Sequence, residues 1–180
     1  MANRYTLTDI SRLSDRNVFL DTNILIYLFW PTGSNWATNN YPKYFNRLLK
    51  NEIPLFVDFN VISEFINRAI RLEYDKYVTA RGLNKRDFNY KQYRNTGEGK
   101  SAMQDIYTVI SDDVLPKVTV CGKAFFIEDL QDMFVVDNMD FMDKAILKIC
   151  LENNFIILTN DADYADCDLD ILTANGKMLN

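Results

Sequence analysis

Short apolar runs alternate along this chain with longer segments whose apolar positions recur at helical spacing. Asn17 to Leu20 reads as a buried strand, and the residues after Asp21 as a helix that stops before Pro31. Tyr41 to Lys50 predicts a helix with Pro42 in its first turn, where a missing N–H is tolerated. Leu55 to Val57 predicts a strand, followed by a long helix from about Asn60 to Tyr74. The stretch Thr96 to Ser101, TGEGKS, reads as a loop ahead of a helix near Met103 to Val114. Lys117 to Cys121 reads as a short strand and Phe125 to Phe134 as a short helix or strand. Asp140 to Glu152 predicts a helix with Met142, Ala145, Ile146 and Ile149 on one face; Phe155 to Leu158 and Leu169 to Leu172 predict the last strands. Alternation with short connections implies an α/β fold, a mostly parallel central sheet with helices on both faces in a Rossmann-like three-layer arrangement. Right-handed crossovers then bring the carboxyl ends of the strands to one edge.

Composition narrows the chemistry. The 180 residues, 48% of them hydrophobic, suffice for one core, so a single domain spanning 1–180 is expected. The apolar run Ile24 to Trp30 is cut off by Pro31, and the amino end has no apolar stretch of the signal-peptide kind. A cytoplasmic protein with no membrane partner is the expectation. Cys121, Cys150 and Cys167 are odd in number and never spaced as CxxC, which points to neither a disulfide framework nor a thiolate zinc site. Histidine is absent, which excludes a Ser/His/Asp triad, an HExxH helix and a Cys/His dyad. Carboxylate chemistry on a hard divalent cation remains.

The net charge of −5 conceals an uneven distribution. Between Arg68 and Lys100 lie nine cations against four acids, interleaved with Tyr74, Tyr77, Phe88, Tyr90 and Tyr93. That composition suits a single-stranded nucleic acid with stackable bases, and Arg81, Lys85, Arg86 and Lys91 are the candidate RNA contacts. A basic helical insertion over about 75–100 is expected; a solvated arm whose cations face water accounts for the charge equally well.

The acids fall where the predicted fold gathers its strand ends. Asp21 closes the first strong strand, with Asn23 placed to orient its carboxylate, although an Asp there is more commonly a helix cap. Glu64 sits among Val61, Ile62, Phe65 and Ile66 on a helix, where a salt bridge and a metal role weigh equally. Asp140 and Asp143 share one face at a helix start, also the signature of capping. Asp161 and Asp163 follow the strand ending at Leu158, through Thr159 and Asn160, where an Asx-turn is the modest explanation. Oxygen-only donors of this kind select Mg²⁺ or Mn²⁺ over zinc.

Taken in order, Leu20-Asp21-Thr22-Asn23-Ile24-Leu25-Ile26, Ile62-Ser63-Glu64-Phe65, Asp143-Lys144-Ala145-Ile146-Leu147 and Leu158-Thr159-Asn160-Asp161-Ala162-Asp163-Tyr164 resemble the PIN-domain nucleases, and the chain is similar to the VapC-type toxin ribonucleases. The resemblance implies a PIN-like fold and a metal-dependent endoribonuclease. It places Asp21, Glu64, Asp143 and Asp161 at the family's acidic positions, with Asp163 a further carboxylate and Asn23 and Thr159 in supporting roles. It implies Asp21, Asp143, Asp161 and Asp163 as ligands of Mg²⁺ or Mn²⁺, RNA as substrate, and a cognate antitoxin and a second copy of the chain as partners. Asp140 is an additional carboxylate without an assigned role, and the basic segment is longer than a minimal toxin carries. A competing reading is a PIN-like scaffold that binds RNA or protein without turnover, against which stands the filling of every acidic position.

Overall fold

The structure, a computed structural model, describes residues 2–33 and 36–179. Six strands, β1 (Arg4–Tyr5), β2 (Val18–Leu20), β3 (Leu55–Asp58), β4 (Thr119–Cys121), β5 (Ile156–Leu158) and β6 (Ile171–Leu172), form one sheet in the order β1-β6-β5-β2-β3-β4. All five pairings are parallel. The helices are α1 (Thr22–Phe29), α2 (Trp36–Lys50), α3 (Phe59–Ala80), α4 (Tyr90–Asn95), α5 (Gly97–Val109), α6 (Ile127–Met133) and α7 (Phe141–Glu152). Successive strand residues point to opposite faces, yet every residue of β2 and β5 is fully buried. That requires cover on both sides, and it explains why these strands read as unbroken apolar runs rather than as alternation. At the amino ends of the strands, Phe155 stacks on Phe56 with ring centroids 4.6 Å apart and on Phe19 at 6.2 Å.

From β2 the chain winds outward through β3 to β4, then returns to lay β5 on the other side of β2 and winds out to β6. The direction reverses between β2 and β5, and open parallel sheets have their ligand crevice at such a reversal, outside the strand carboxyl ends. Asp21 leaves β2 there, and Thr159 leaves β5.

Four elements differ from the sequence expectation. Helix α2 starts at Trp36, so Pro42 stands in its second turn rather than its first and removes one hydrogen bond from the ladder. TGEGKS is a helix start, not a loop. Thr96 ends α4 and caps α5, its Oγ1 accepting from the Gly99 N–H at 3.0 Å. A Cβ built on Gly99 would lie 2.0 Å from the Tyr93 carbonyl oxygen, so only glycine lets the two helices meet this closely. Helix α3 runs six residues beyond Tyr74, and the start of the anticipated insertion is its last turns. The edge strand β1, two residues without an apolar run, left no trace in the pattern. Arg4 secures it by donating to the carbonyls of Leu169 (2.8 Å), Ala165 (2.7 Å) and Cys167 (3.1 Å). No described helix is long and apolar enough to cross a membrane.

Candidate active site

Asp21 is 6% exposed and makes no side-chain capping bond to α1. Its Oδ2 instead accepts from Asn23 Nδ2 and from Thr159 Oγ1, both at 2.5 Å. Thr159 Oγ1 in turn accepts from the Asp161 N–H at 2.9 Å, and Asn23 Oδ1 accepts from the Asn160 N–H at 3.2 Å. These bonds tie the ends of β2 and β5 together across the reversal point and hold the carboxylate in one orientation. Burial drives the Asp21 carboxyl up to about 7; the Thr159 hydroxyl opposes this, and the charges of Asp143 and Asp161 add to it.

Asp143 lies in the first turn of α7. Tyr164, fully buried, donates its hydroxyl to Asp143 Oδ1 at 3.0 Å. Burial is again the main reason that this carboxyl is pushed up to about 6; the Tyr164 bond works against it, and Asp140 and Asp161 push with it. Asp140 has the role that the sequence left unassigned: it caps α7, its Oδ1 accepting from the N–H groups of Met142 (2.8 Å) and Asp143 (2.9 Å). Asp161 closes a small Asx-type turn by accepting from the Asp163 N–H at 3.1 Å, while Asp163 itself is exposed.

Glu64 departs from expectation. It is exposed rather than set in an apolar surface, and its pairing with Arg68 at 3.5 Å is an open i,i+4 contact of little energetic weight. The other carboxylate oxygen accepts from Thr22 Oγ1 at 3.0 Å, which places Glu64 beside the start of α1 and hence beside Asp21.

Asp21, Asp143 and Asp161 therefore form one electrostatic group: Asp21 feels the charges of Asp143 and Asp161, and Asp143 those of Asp140 and Asp161. Their donors are all oxygen, the set that suits a small hard dication, and such a charge converts mutual repulsion into attraction. Among the described residues no three acidic, thiol or imidazole side chains already stand as a finished cage.

The basic segment is organised differently from the sequence picture. Arg81 pairs with Glu98 at 2.8 Å and lies 3.9 Å over the Tyr77 ring; Lys85 pairs with Asp75 at 2.5 Å. Arg86 and Lys91 are exposed without carboxylate partners among the described residues. The interleaved aromatics do not present free faces to bases. Tyr74 and Tyr93 are buried, and Tyr77 stacks on Phe88 at 5.5 Å, so these rings pack α4 onto α3. Glu64 and Arg81 are also separated by roughly 25 Å of helix at 1.5 Å per residue, which sets the cations apart from the acidic edge.

Tyr164 and Thr22 escaped the sequence reading because neither periodicity nor spacing marks a residue whose partner is distant in the chain. Asp58 was missed as well. Its buried carboxylate caps α3 through the Val61 N–H at 2.8 Å, a signal available from an Asp three residues before an apolar helical position. No protein-family model and no curated protein matches the sequence.

Proposed function

We propose that this chain is a Mg²⁺- or Mn²⁺-dependent endoribonuclease of the PIN type, with the toxin of a toxin–antitoxin pair as the biological setting the resemblance implies. The observation that carries the reading is the burial of Asp21 at the sheet's reversal point, in the field of Asp143 and Asp161. A carboxylate held away from its ordinary ionisation by burial, with two like charges adding to it, costs stability unless a cation joins it, and such strain concentrates at functional sites. Asp21, Asp143 and Asp161 would hold the ion, with Asp163 as the exposed additional ligand. Bound there, a divalent cation lowers the pKa of water and stabilises charge developing on a phosphodiester.

The remaining work belongs to the protein. Asn23 and Thr159 fix the direction of Asp21, and Tyr164 fixes that of Asp143. Glu64, exposed and anchored at one oxygen by Thr22, orients the attacking water. Arg86, in the connection after α3, and Lys91, on α4, contribute long-range attraction for the RNA backbone. The test is cleavage of end-labelled single-stranded RNA: it should proceed with Mg²⁺ or Mn²⁺, stop with chelator, and disappear in Asp143→Asn while the circular-dichroism melt remains cooperative. Wild-type rates in that variant would remove Asp143 and the reading with it.

A further inference from the structure

Next to the acidic group, a cleft of about 230 Å³ opens between α3 and the start of α7, lined by Asn60, Ser63, Glu64, Asn67, Asp140 and Met142. Its α3 wall is a single polar stripe, because positions 60, 63, 64 and 67 share one helix face. No Lys or Arg is among its lining residues, so its chemistry disfavours a phosphate. The carboxylates of Glu64 and Asp140 accept only, whereas the Asn67 amide and the Ser63 hydroxyl have no hydrogen-bond partner among the described residues. Two large exposed rings neighbour its lining residues along the two helices. Phe59, one helical turn before Ser63, is 73% exposed; Phe141, between Asp140 and Met142, is 45% exposed and stacked at 5.9 Å on Phe134.

We propose that this cleft seats one unpaired RNA base bearing an exocyclic amine, placing the adjoining phosphodiester over the acidic group. This rests on the nuclease reading for its polymer, but its recognition chemistry is its own. Acceptors at Glu64 and Asp140 pair with the amino groups of cytosine or adenine and meet only the O4 acceptor of uracil at the corresponding position. Asn67 and Ser63 supply both donor and acceptor for the ring nitrogens and carbonyls, and Phe59 offers its face to the base or its neighbour. The cleft reaches the acidic group through Glu64, bonded to Thr22 beside Asp21, and through Asp140, one turn from Asp143.

The experiment is fluorescence anisotropy of short labelled oligo-C, oligo-A and oligo-U in Mg²⁺ with the Asp143→Asn protein, so that binding is read without turnover. Oligo-C or oligo-A should bind about tenfold or more tightly than oligo-U. Adding Glu64→Ala should reduce that preference severalfold, adding Ser63→Ala and Asn67→Ala should weaken binding severalfold, and Phe59→Ala should weaken all three alike. Asn67 is exposed and Ser63 half-buried on α3, and neither side chain makes a hydrogen bond among the described residues, so the melting curve is expected to change little. Equal affinity for oligo-U, no binding of any oligomer, or a preference unchanged by Glu64→Ala would overturn the proposal. Cleavage by wild-type protein is scored separately: RNA cut without base preference removes the pocket and leaves the nuclease, while intact RNA removes the nuclease.

Discussion

Replacing Asp21 by asparagine should raise the melting temperature of metal-free protein, the reverse of what deleting a helix cap does. Asp21 is 6% exposed, and its carboxyl is pushed from 3.8 up to about 7, chiefly by burial. The folded value lies above the unfolded one, so the native state binds the proton more tightly. The stability conferred by that proton is therefore complete below about pH 3.8 and is lost as pH rises to about 7. At 1.36 kcal/mol per pKa unit, the loss above that range is about 4 kcal/mol. Asparagine cannot ionise, and its oxygen still accepts from Asn23 and Thr159; its unpaired amide offsets about 1 kcal/mol. A net gain of about 3 kcal/mol corresponds to a rise of roughly 6–12 °C for a domain of this size, near pH 8 with chelator, shrinking to nothing near pH 4. Scanning calorimetry across pH measures this directly. Excess Mn²⁺ should close most of that gap, since wild type gains about 2.7 kcal/mol at about 100 times the dissociation constant and the variant loses most of that gain. A variant melting lower than wild type near pH 8 in chelator, by the roughly 0.5–2 kcal/mol of a lost cap, would refute the reasoning.

Tyr164→Phe removes the hydroxyl that restrains the Asp143 carboxyl, so the acidic limb of the pH–rate profile should move to higher pH. Mn²⁺ affinity measured by titration calorimetry should fall by about tenfold or more. Because Arg81 and Lys85 are already paired, Arg86→Gln with Lys91→Gln should capture most of the effect of neutralising all four cations. The slope of log affinity against log salt should flatten by about 1.4 if each contacts one phosphate of a single strand. Gly99→Ala should destabilise by about 1–3 kcal/mol through the clash with the Tyr93 carbonyl, whereas Gly97→Ala, with open space around it, should be neutral or stabilising by about 0.4–1 kcal/mol in urea melts.

The strands flanking the reversal point were legible because burial on both faces writes an uninterrupted apolar word, as in Val18-Phe19-Leu20 and Ile156-Ile157-Leu158. Helix α7 was legible with its cap. The start of α5 was not, since glycine-rich sequence signals a turn until a neighbouring backbone demands its presence at Gly99. The same limit governs the site. Position along a strand placed Asp21 and Asp161 at the right edge, but the exposure of Glu64 and the bond from Tyr164 depend on residues far away in sequence. Composition alone overstated the basic segment, because charge counts do not register that Glu98 and Asp75 fold back onto Arg81 and Lys85.

The bond from Thr159 to Asp21 joins residues 138 positions apart, and it depends on β5 docking against the exposed flank of β2. During synthesis, at about 5–20 residues per second, the amino-terminal strands and their helices emerge well before that strand exists. The acidic group is thus completed only once β5 has emerged, from pieces far apart in the chain, and a chain that stops before Thr159 carries Asp21 with nothing to complete the group.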